Sequence, residues 1–276
     1  MTNDITTVLV VGATGKTGSR VLERLKIMLP PSMVKAGGRD SEVIFDWHRS
    51  DTWAPALDNI SHVYLTYYPD LAVPASIEHI RAFCQLAKSA GVAHITLLSG
   101  RGEPVAQQCE EILMASGLSW NVVRASWFNQ NFSEGFFKSF IDYGQINLPV
   151  STISEPFIDI DDIAEVAAKT IVDKSLANRL FEVTGPELLT FDDIASQFSS
   201  VLKRDIRFNS VTEEDFRDTM SKSGVPDDVL ALMIFLFTEV LDGRNEYVTD
   251  GVREALGRPA TSFARYLEKN KKVFEL

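Results

Sequence analysis

Gly12, Gly15 and Gly18 follow the apolar run Val8-Leu9-Val10-Val11 at G-x-x-G-x-x-G spacing. Glycines at the end of a buried strand allow a tight turn in which backbone approaches a ligand closely. A helix is predicted over residues 19–29. Its unpaired N–H groups and positive dipole end face the same point, which suits a dinucleotide pyrophosphate. Gly12, Thr14, Gly15, Lys16, Thr17 and Gly18 form the predicted binding turn. It is not a P-loop: Thr17 follows Lys16, but the four-residue spacer between glycines is missing.

The rest of that ligand can be followed down the chain. Residues 33–39 read as a second strand with its exit turn. About 20 positions beyond the glycines, an acid holds the ribose 2′-hydroxyl of NAD(H), whereas an arginine accommodates the 2′-phosphate of NADP(H). Arg39 stands in that window and favours NADP(H), with the adjacent Asp40 as the alternative ribose ligand. Residues 42–45 form a short third strand, and Asp46 and Trp47 at its end are expected to flank an adenine. Residues 62–69 form a fourth strand with a polar, aromatic end. Ligands of open parallel sheets lie outside the carboxyl ends of the strands. Thr66 and Tyr67 are therefore candidate cofactor contacts and Tyr68 a candidate pocket residue, while Tyr64 is expected to pack internally.

Positioning these residues takes alternating strands and helices. Residues 74–90 have helical periodicity, with Ile77, Ile80, Phe83, Cys84 and Ala87 on one face, so Cys84 is expected in the core. Residues 94–102 give a fifth strand and its exit loop, 103–116 a helix and 120–124 a sixth strand. The predicted fold is α/β: a Rossmann-type, doubly wound parallel sheet over residues 1–125, joined by a return strand near 180–184. Residues 126–276 are expected to form a smaller, mostly helical lobe for substrate. There 155–159 reads as a strand, and 161–174, 190–202, 213–222 and 227–241 as helices, with two short helices after Val248. The apolar stretch 229–237 is open to three uses: lining a pocket, packing the lobe or forming a homodimer surface.

Composition narrows the function classes. The formal net charge of −11 argues against non-specific binding to nucleic acid or an anionic membrane. The longest apolar run, 229–237, is too short to span a bilayer. Two cysteines, Cys84 and Cys109, fit a reducing, cytoplasmic setting better than a disulfide framework. The first residues, Met-Thr-Asn-Asp, are not followed by a signal-peptide pattern. His48, His62, His79 and His94 are scattered, make no metal-ligand spacing and are expected at the surface or at strand edges. The acids Asp159, Asp161 and Asp162, and likewise Asp192 and Asp193, read as helix starts, so no metal is expected. A Gly-x-Ser-x-Gly elbow is missing, which leaves a hydrolase unsupported.

The opening Val-Val-Gly-Ala-Thr-Gly-Lys-Thr-Gly, Arg39, Leu98-Ser99-Gly100, the run 122–128 and Asp159-Ile160-Asp161-Asp162-Ile163-Ala164 together resemble the NmrA-like branch of atypical short-chain dehydrogenases. The resemblance covers nearly the whole chain. Residues 67–71, 98–102 and 237–245 are closest to bacterial relatives of festuclavine dehydrogenases. It implies either NADPH-dependent reduction of quinoid, imine or unsaturated molecules, or dinucleotide sensing without turnover through a protein partner. Ser99 falls where the family's catalytic serine or threonine lies.

Short-chain dehydrogenases use a tyrosine with a lysine four residues on, the lysine making the tyrosine a better proton donor. Here the residues four beyond Tyr64, Tyr67, Tyr68, Tyr143, Tyr247 and Tyr266 are Tyr68, Leu71, Ala72, Asn147, Gly251 and Asn270, so the dyad is missing. Hydride transfer needs mainly an oriented cofactor and excluded water. Tyr68, Ser99 and Glu110 remain as candidate catalytic residues, with Tyr67 and Arg101 as further polar orienters. Tyr68, Arg101, Trp127, Phe128 and Asn131 are candidate substrate contacts. The aromatic run Trp127, Phe128, Phe132 and Phe136 suits either a wall for a flat substrate or a hinge between lobes.

Overall fold

Strand and helix alternate through the first 125 residues of the computed structural model, which describes residues 5–135 and 137–275. The elements are β1 (Val8–Val11), α1 (Lys16–Met28), β2 (Val34–Gly38), β3 (Val43–Ile44), α2 (Trp53–Ala56), β4 (His62–Leu65), α3 (Ser76–Ser89), β5 (His94–Gly100), α4 (Pro104–Met114) and β6 (Ser119–Ala125). Then follow α5 (Asn131–Glu134), α6 (Phe137–Tyr143), β7 (Gln145–Leu148), β8 (Ser154–Glu155), α7 (Ile160–Val172), β9 (Arg179–Val183), β10 (Leu189–Thr190) and α8 (Phe191–Leu202). The chain ends with β11 (Arg207–Ser210), α9 (Glu213–Lys222), α10 (Asp227–Phe235), a π-helical turn (Leu236–Val240), α11 (Gly251–Leu256) and α12 (Phe263–Asn270). Met1 to Asp4 and Phe136, which the sequence reading used, lie outside the described residues.

The chain divides into two units. The first comprises residues up to 125, 160–183 and 250–259. Its sheet is parallel throughout, in the order β3-β2-β1-β4-β5-β6-β9. Period-2 alternation sends Leu9, Val11, Val63, Leu65, Ile95, Leu97 and Val122 into one core with Ile80 and Phe83 of α3 and Ala106 and Leu113 of α4. α7 packs against α1 and against β4, β5 and β6. Both faces of the sheet are thereby covered, which is what buried parallel strands require.

The second unit comprises 126–159, 184–249 and 260–275 of the described chain. Six helices (α5, α6, α8, α9, α10 and α12) surround a phenylalanine-rich core that includes Phe132, Phe157, Phe198, Phe216 and Phe263. Two small ladders accompany them: β8 with β10, antiparallel, and β7 with β11, parallel. The sequence reading missed β7 and β11, which are short and gain their partners from residues about sixty positions away. It also made a strand of 155–159, whereas only Ser154–Glu155 is paired as one. Of the three uses open to 229–237, packing the unit is the one its buried residues take, since Leu230, Ile234 and Phe237 lie in that core.

Two further expectations are corrected. Apart from the return strand, now β9, residues 126–276 were expected mainly in the second lobe, yet α7 and 250–259 also belong to the first unit. α7 joins it through Asp161, which pairs with Arg20 and Arg24 of α1, and Asp162, which pairs with Arg258. His62 and His94 were expected at edges but are buried. The strands that carry them are central in the sheet, and hydroxyl partners satisfy their ring nitrogens: Ser61 for His62, Ser119 and Thr96 for His94.

Candidate dinucleotide-binding site

β1 ends in a turn that two glycine positions make obligatory. Gly12 has φ +72°, and a Cβ there would lie 2.4 Å from Thr66 Oγ1. At Gly18 a Cβ would come within 2.1 Å of the Gly12 carbonyl oxygen. Between them, the Gly15 N–H donates to the Gly12 carbonyl at 2.9 Å, and the Ala13 N–H donates to Gly37 of β2 at 3.1 Å. α1 starts directly after Gly15, with no side-chain cap and no acid in its first turn. Thr14 and Gly15 are exposed, Lys16 is half-buried and Thr17 is buried. A turn that begins and ends on glycine and runs into an uncapped helix start fits a pyrophosphate by close approach and by N–H donation. Thr66 completes its floor, donating from Oγ1 to the Val11 carbonyl at 3.2 Å.

Arg39 follows β2 and is exposed, as is Asp40. The Arg39 guanidinium lies over the ring of Tyr68, 5.1 Å from its centroid. Tyr68 thus shares a location with Arg39 at the β2 and β4 exits. Tyr67 points elsewhere: its hydroxyl bonds His79 Nδ1 of α3 at 2.6 Å, and its ring packs on Trp47. Burial raises the Tyr67 pKa and lowers that of His79, which favours the neutral form of both side chains.

The β3 exit departs from the sequence reading. Trp47, expected to flank an adenine, is buried among Phe45, Trp53 and Phe83, and its Nε1 donates to the Thr66 carbonyl at 2.9 Å. An indole between two strand exits gains more by burying its rings than by waiting at the surface. Asp46 accepts the His48 N–H at 3.0 Å, so its carboxylate stabilises its own turn.

At the ends of β5 and β6 the structure gathers charge. Ser99 is buried, and its hydroxyl finds no partner. Arg101 donates from Nε to Glu182 of β9 at 2.8 Å. Glu110, on α4, accepts from Arg124 Nε at 3.0 Å and from Arg124 Nη2. The same arginine reaches Glu182 from Nη1 at 3.4 Å. As a candidate proton donor Glu110 is thereby corrected, because its carboxylate is committed to a buried pair. Glu103 was missed by sequence reasoning, and no local pattern marks it. Its carboxyl lies where a Cβ on Gly100 would fall, and burial, Asp70 and Glu110 push its pKa well above the usual carboxylate range.

In the second unit Trp127 stacks on Phe137 and Phe237, with centroids 6.4 and 5.4 Å away. Phe128 and Asn131 flank the same stretch and are half-buried. Among the described residues no group of three or more His, Cys, Asp or Glu is placed to hold a metal, and no helix is long and apolar enough to cross a membrane.

The comparisons agree with this architecture. Residues 107–265 match the family model described as the NmrA-like family. Festuclavine dehydrogenase of Aspergillus fumigatus is 31% identical, covering 96% of this chain and 98% of that one. The NAD(P)H azoreductase of Xenophilus azovorans is 26% identical over 97% and 99%. Among solved structures, the NADPH-dependent quinone oxidoreductase of Escherichia coli complexed with NADPH aligns with a TM-score of 0.82 at 19% identity, covering 95% of this chain and 99% of that one. By sequence and by fold, the chain belongs to the NmrA-like family of Rossmann-type oxidoreductases.

Proposed function

We propose that the chain transfers hydride from NADPH to a small, flat or unsaturated acceptor (a quinone, an imine or a dye-like cation) without a Tyr-x-x-x-Lys dyad. The observation that carries this reading is the glycine turn, where Gly12 and Gly18 leave no room for a side chain before an uncapped α1. Gly12, Thr14, Gly15, Lys16, Thr17 and Gly18 hold the pyrophosphate, and Thr66 braces the turn. Arg39 takes the 2′-phosphate, which favours NADP(H). Tyr68, beneath Arg39, serves that adenosine end rather than the reacting centre. The bound cofactor supplies the hydride. Ser99 offers an unsatisfied hydroxyl to the nicotinamide or the acceptor. Arg101, its charge balanced by Glu182, serves as a further polar orienter, and Trp127, Phe128 and Asn131 receive the acceptor's flat face. The name of the azoreductase supports an acceptor with an N=N bond.

A second reading, a dinucleotide sensor that signals through a protein partner, draws on Glu110, paired with Arg124 of β6, standing in the α4 helix that brings the lysine in dyad enzymes. Calorimetric titration with NADPH, NADP, NADH and NAD, followed by NADPH oxidation assays with quinones, imines and cationic dyes, separates the two. Tight NADPH binding with turnover of any acceptor supports the reductase. Binding that discriminates oxidised from reduced cofactor without turnover supports the sensor.

A further inference from the structure

Three acids of the first unit, Asp70, Glu103 and Glu110, act on one another's charge beside the exits of β4 and β5. Asp70 accepts the Ala72 N–H at 2.8 Å, and Glu110 pairs with Arg124. Glu103 is committed to neither kind of partner, for it opens α4 without a side-chain hydrogen bond to that helix. The cations at the neighbouring exits pair with other acids, Arg101 with Glu182 and Arg124 with Glu110 and Glu182. Glu103 keeps 8% of its surface exposed. Burial, Asp70 and Glu110 hold it protonated well above the usual carboxylate range.

Strand register places this carboxyl on one face of the sheet. A Cβ on Gly100 would fall within 2.4 Å of the Glu103 carboxyl carbon and both its oxygens, so the group lies on the face that Gly100 presents. Val10 of β1, Tyr64 of β4 and Thr96 of β5 are in register and share that face. Two residues on from each, Gly12, Thr66 and Leu98 follow in line, and a Cβ on Gly12 would meet Thr66 Oγ1. Thr96 is buried, whereas Leu98 and Gly100 are half-buried, so the face uncovers towards the strand exit. The glycine turn, Thr66 and the Glu103 carboxyl thus lie along one face, at the ends of three neighbouring strands about 4.8 Å apart.

We propose that Glu103 is the acid that hands a proton to the acceptor, presented to the reacting end of a dinucleotide that runs from the glycine turn across Thr66 to β5. The proposal rests on the reductase reading and adds the proton donor which that reading lacks. For an azo acceptor, hydride from NADPH forms an N–H bond at one nitrogen as the N=N π bond opens. The other nitrogen takes the proton as the Glu103 O–H bond breaks. The carboxylate left behind regains a proton from water, so NADPH, one proton and the azo compound give NADP and the hydrazine. A cationic triphenylmethane dye needs no such proton, because hydride alone neutralises its central carbon.

The test compares wild type, Glu103→Gln and Asp70→Asn in NADPH oxidation by methyl red, an azo dye, and by crystal violet, a triphenylmethane cation. Infrared spectra of the NADP-loaded proteins report the C=O stretch of a protonated carboxyl independently of turnover. The donor role predicts that Glu103→Gln loses intensity in this band at neutral pH. Its ratio of methyl red to crystal violet turnover should fall at least about 100-fold. The wild-type methyl red rate should fall as pH rises through the Glu103 pKa. That limb should vanish in Glu103→Gln and move to lower pH in Asp70→Asn, where a like charge has gone. An unchanged ratio, a limb that persists in Glu103→Gln, or an unchanged carboxyl band overturns the proposal and leaves the reductase reading standing. So does a wild type that reduces crystal violet but not methyl red. Should Glu103→Gln not fold, Asp70→Asn decides, and an unshifted limb overturns the proposal. No NADPH oxidation with either dye sinks the reductase reading, and the donor role with it.

Discussion

The Arg39 guanidinium lies 5.1 Å from the centroid of the Tyr68 ring, so the β2 exit and the β4 exit meet through a cation–π contact. The contact holds an exposed arginine at the β2 exit, with no carboxylate paired to it among the described residues, which suits an anion such as the 2′-phosphate. Arg39→Ala is expected to weaken NADPH binding by about 10- to 100-fold, the worth of a charge-assisted hydrogen bond. NADH binding should change little. Tyr68→Ala should cost only about 2- to 5-fold, as an exposed cation–π contact contributes about 0.5–1 kcal/mol. Calorimetry on both variants checks this. Equal losses for NADPH and NADH in Arg39→Ala would move the ribose role to Asp40.

Gly18 supplies a steric test of the turn. A Cβ placed 2.1 Å from the Gly12 carbonyl must displace the backbone of the turn or of α1. Gly18→Ala is expected to lose all dinucleotides together and to lower stability by about 1–3 kcal/mol. Urea unfolding and titration with NADPH and NADH measure both effects. Retained binding would show that the turn is not the pyrophosphate site.

The Glu110–Arg124 pair predicts a stability effect. Glu110 is almost fully buried while Arg124 keeps about a fifth of its side chain exposed. Arg124→Met leaves a buried carboxylate unpaired and is expected to cost about 3–5 kcal/mol. Adding Glu110→Gln should restore most of that loss, because an amide tolerates the site better than an unpaired charge. Denaturant midpoints of the two single variants and the double variant test the coupling. Additive losses would mean that the two side chains act independently.

Acid should unfold this protein through its central strands. Burial lowers the His62 pKa to about 4 and that of His94 to about 3, against 6.5 in the unfolded chain. The unfolded state binds these protons first, so stability is full above about pH 6.5 and falls as pH drops towards the folded values. At pH 5 the loss is on the order of 2 kcal/mol from each ring. Glu103 acts in the opposite sense. Its raised pKa means that the folded state keeps a proton which the unfolded chain releases near pH 4.5, so its contribution declines as pH rises. Urea midpoints should climb from pH 5 to about 6.5 in wild type and climb more steeply over the same range in Glu103→Gln. A flat profile in wild type would remove the buried histidines from the account.

What the sequence alone determined is the dinucleotide half of the protein. Val8–Val11 running into spaced glycines, and helices with periodic apolar faces, are local signals whose physics is complete within about twenty residues. Arg39 was singled out in the same way, by its distance along the chain from the turn. Only the tertiary structure decided which polar residues were already spent. Glu110 was committed by Arg124, Tyr67 by His79, and Trp47 by Thr66 together with its aromatic neighbours. Those partners arrive from other strands and helices, and no spacing rule encodes them. The same holds for α7, whose acids read as an ordinary helix start until Arg20, Arg24 and Arg258 are brought to them. Pattern along a chain reports which face is buried, but the pairing of buried polar groups is settled only when distant segments close on one another.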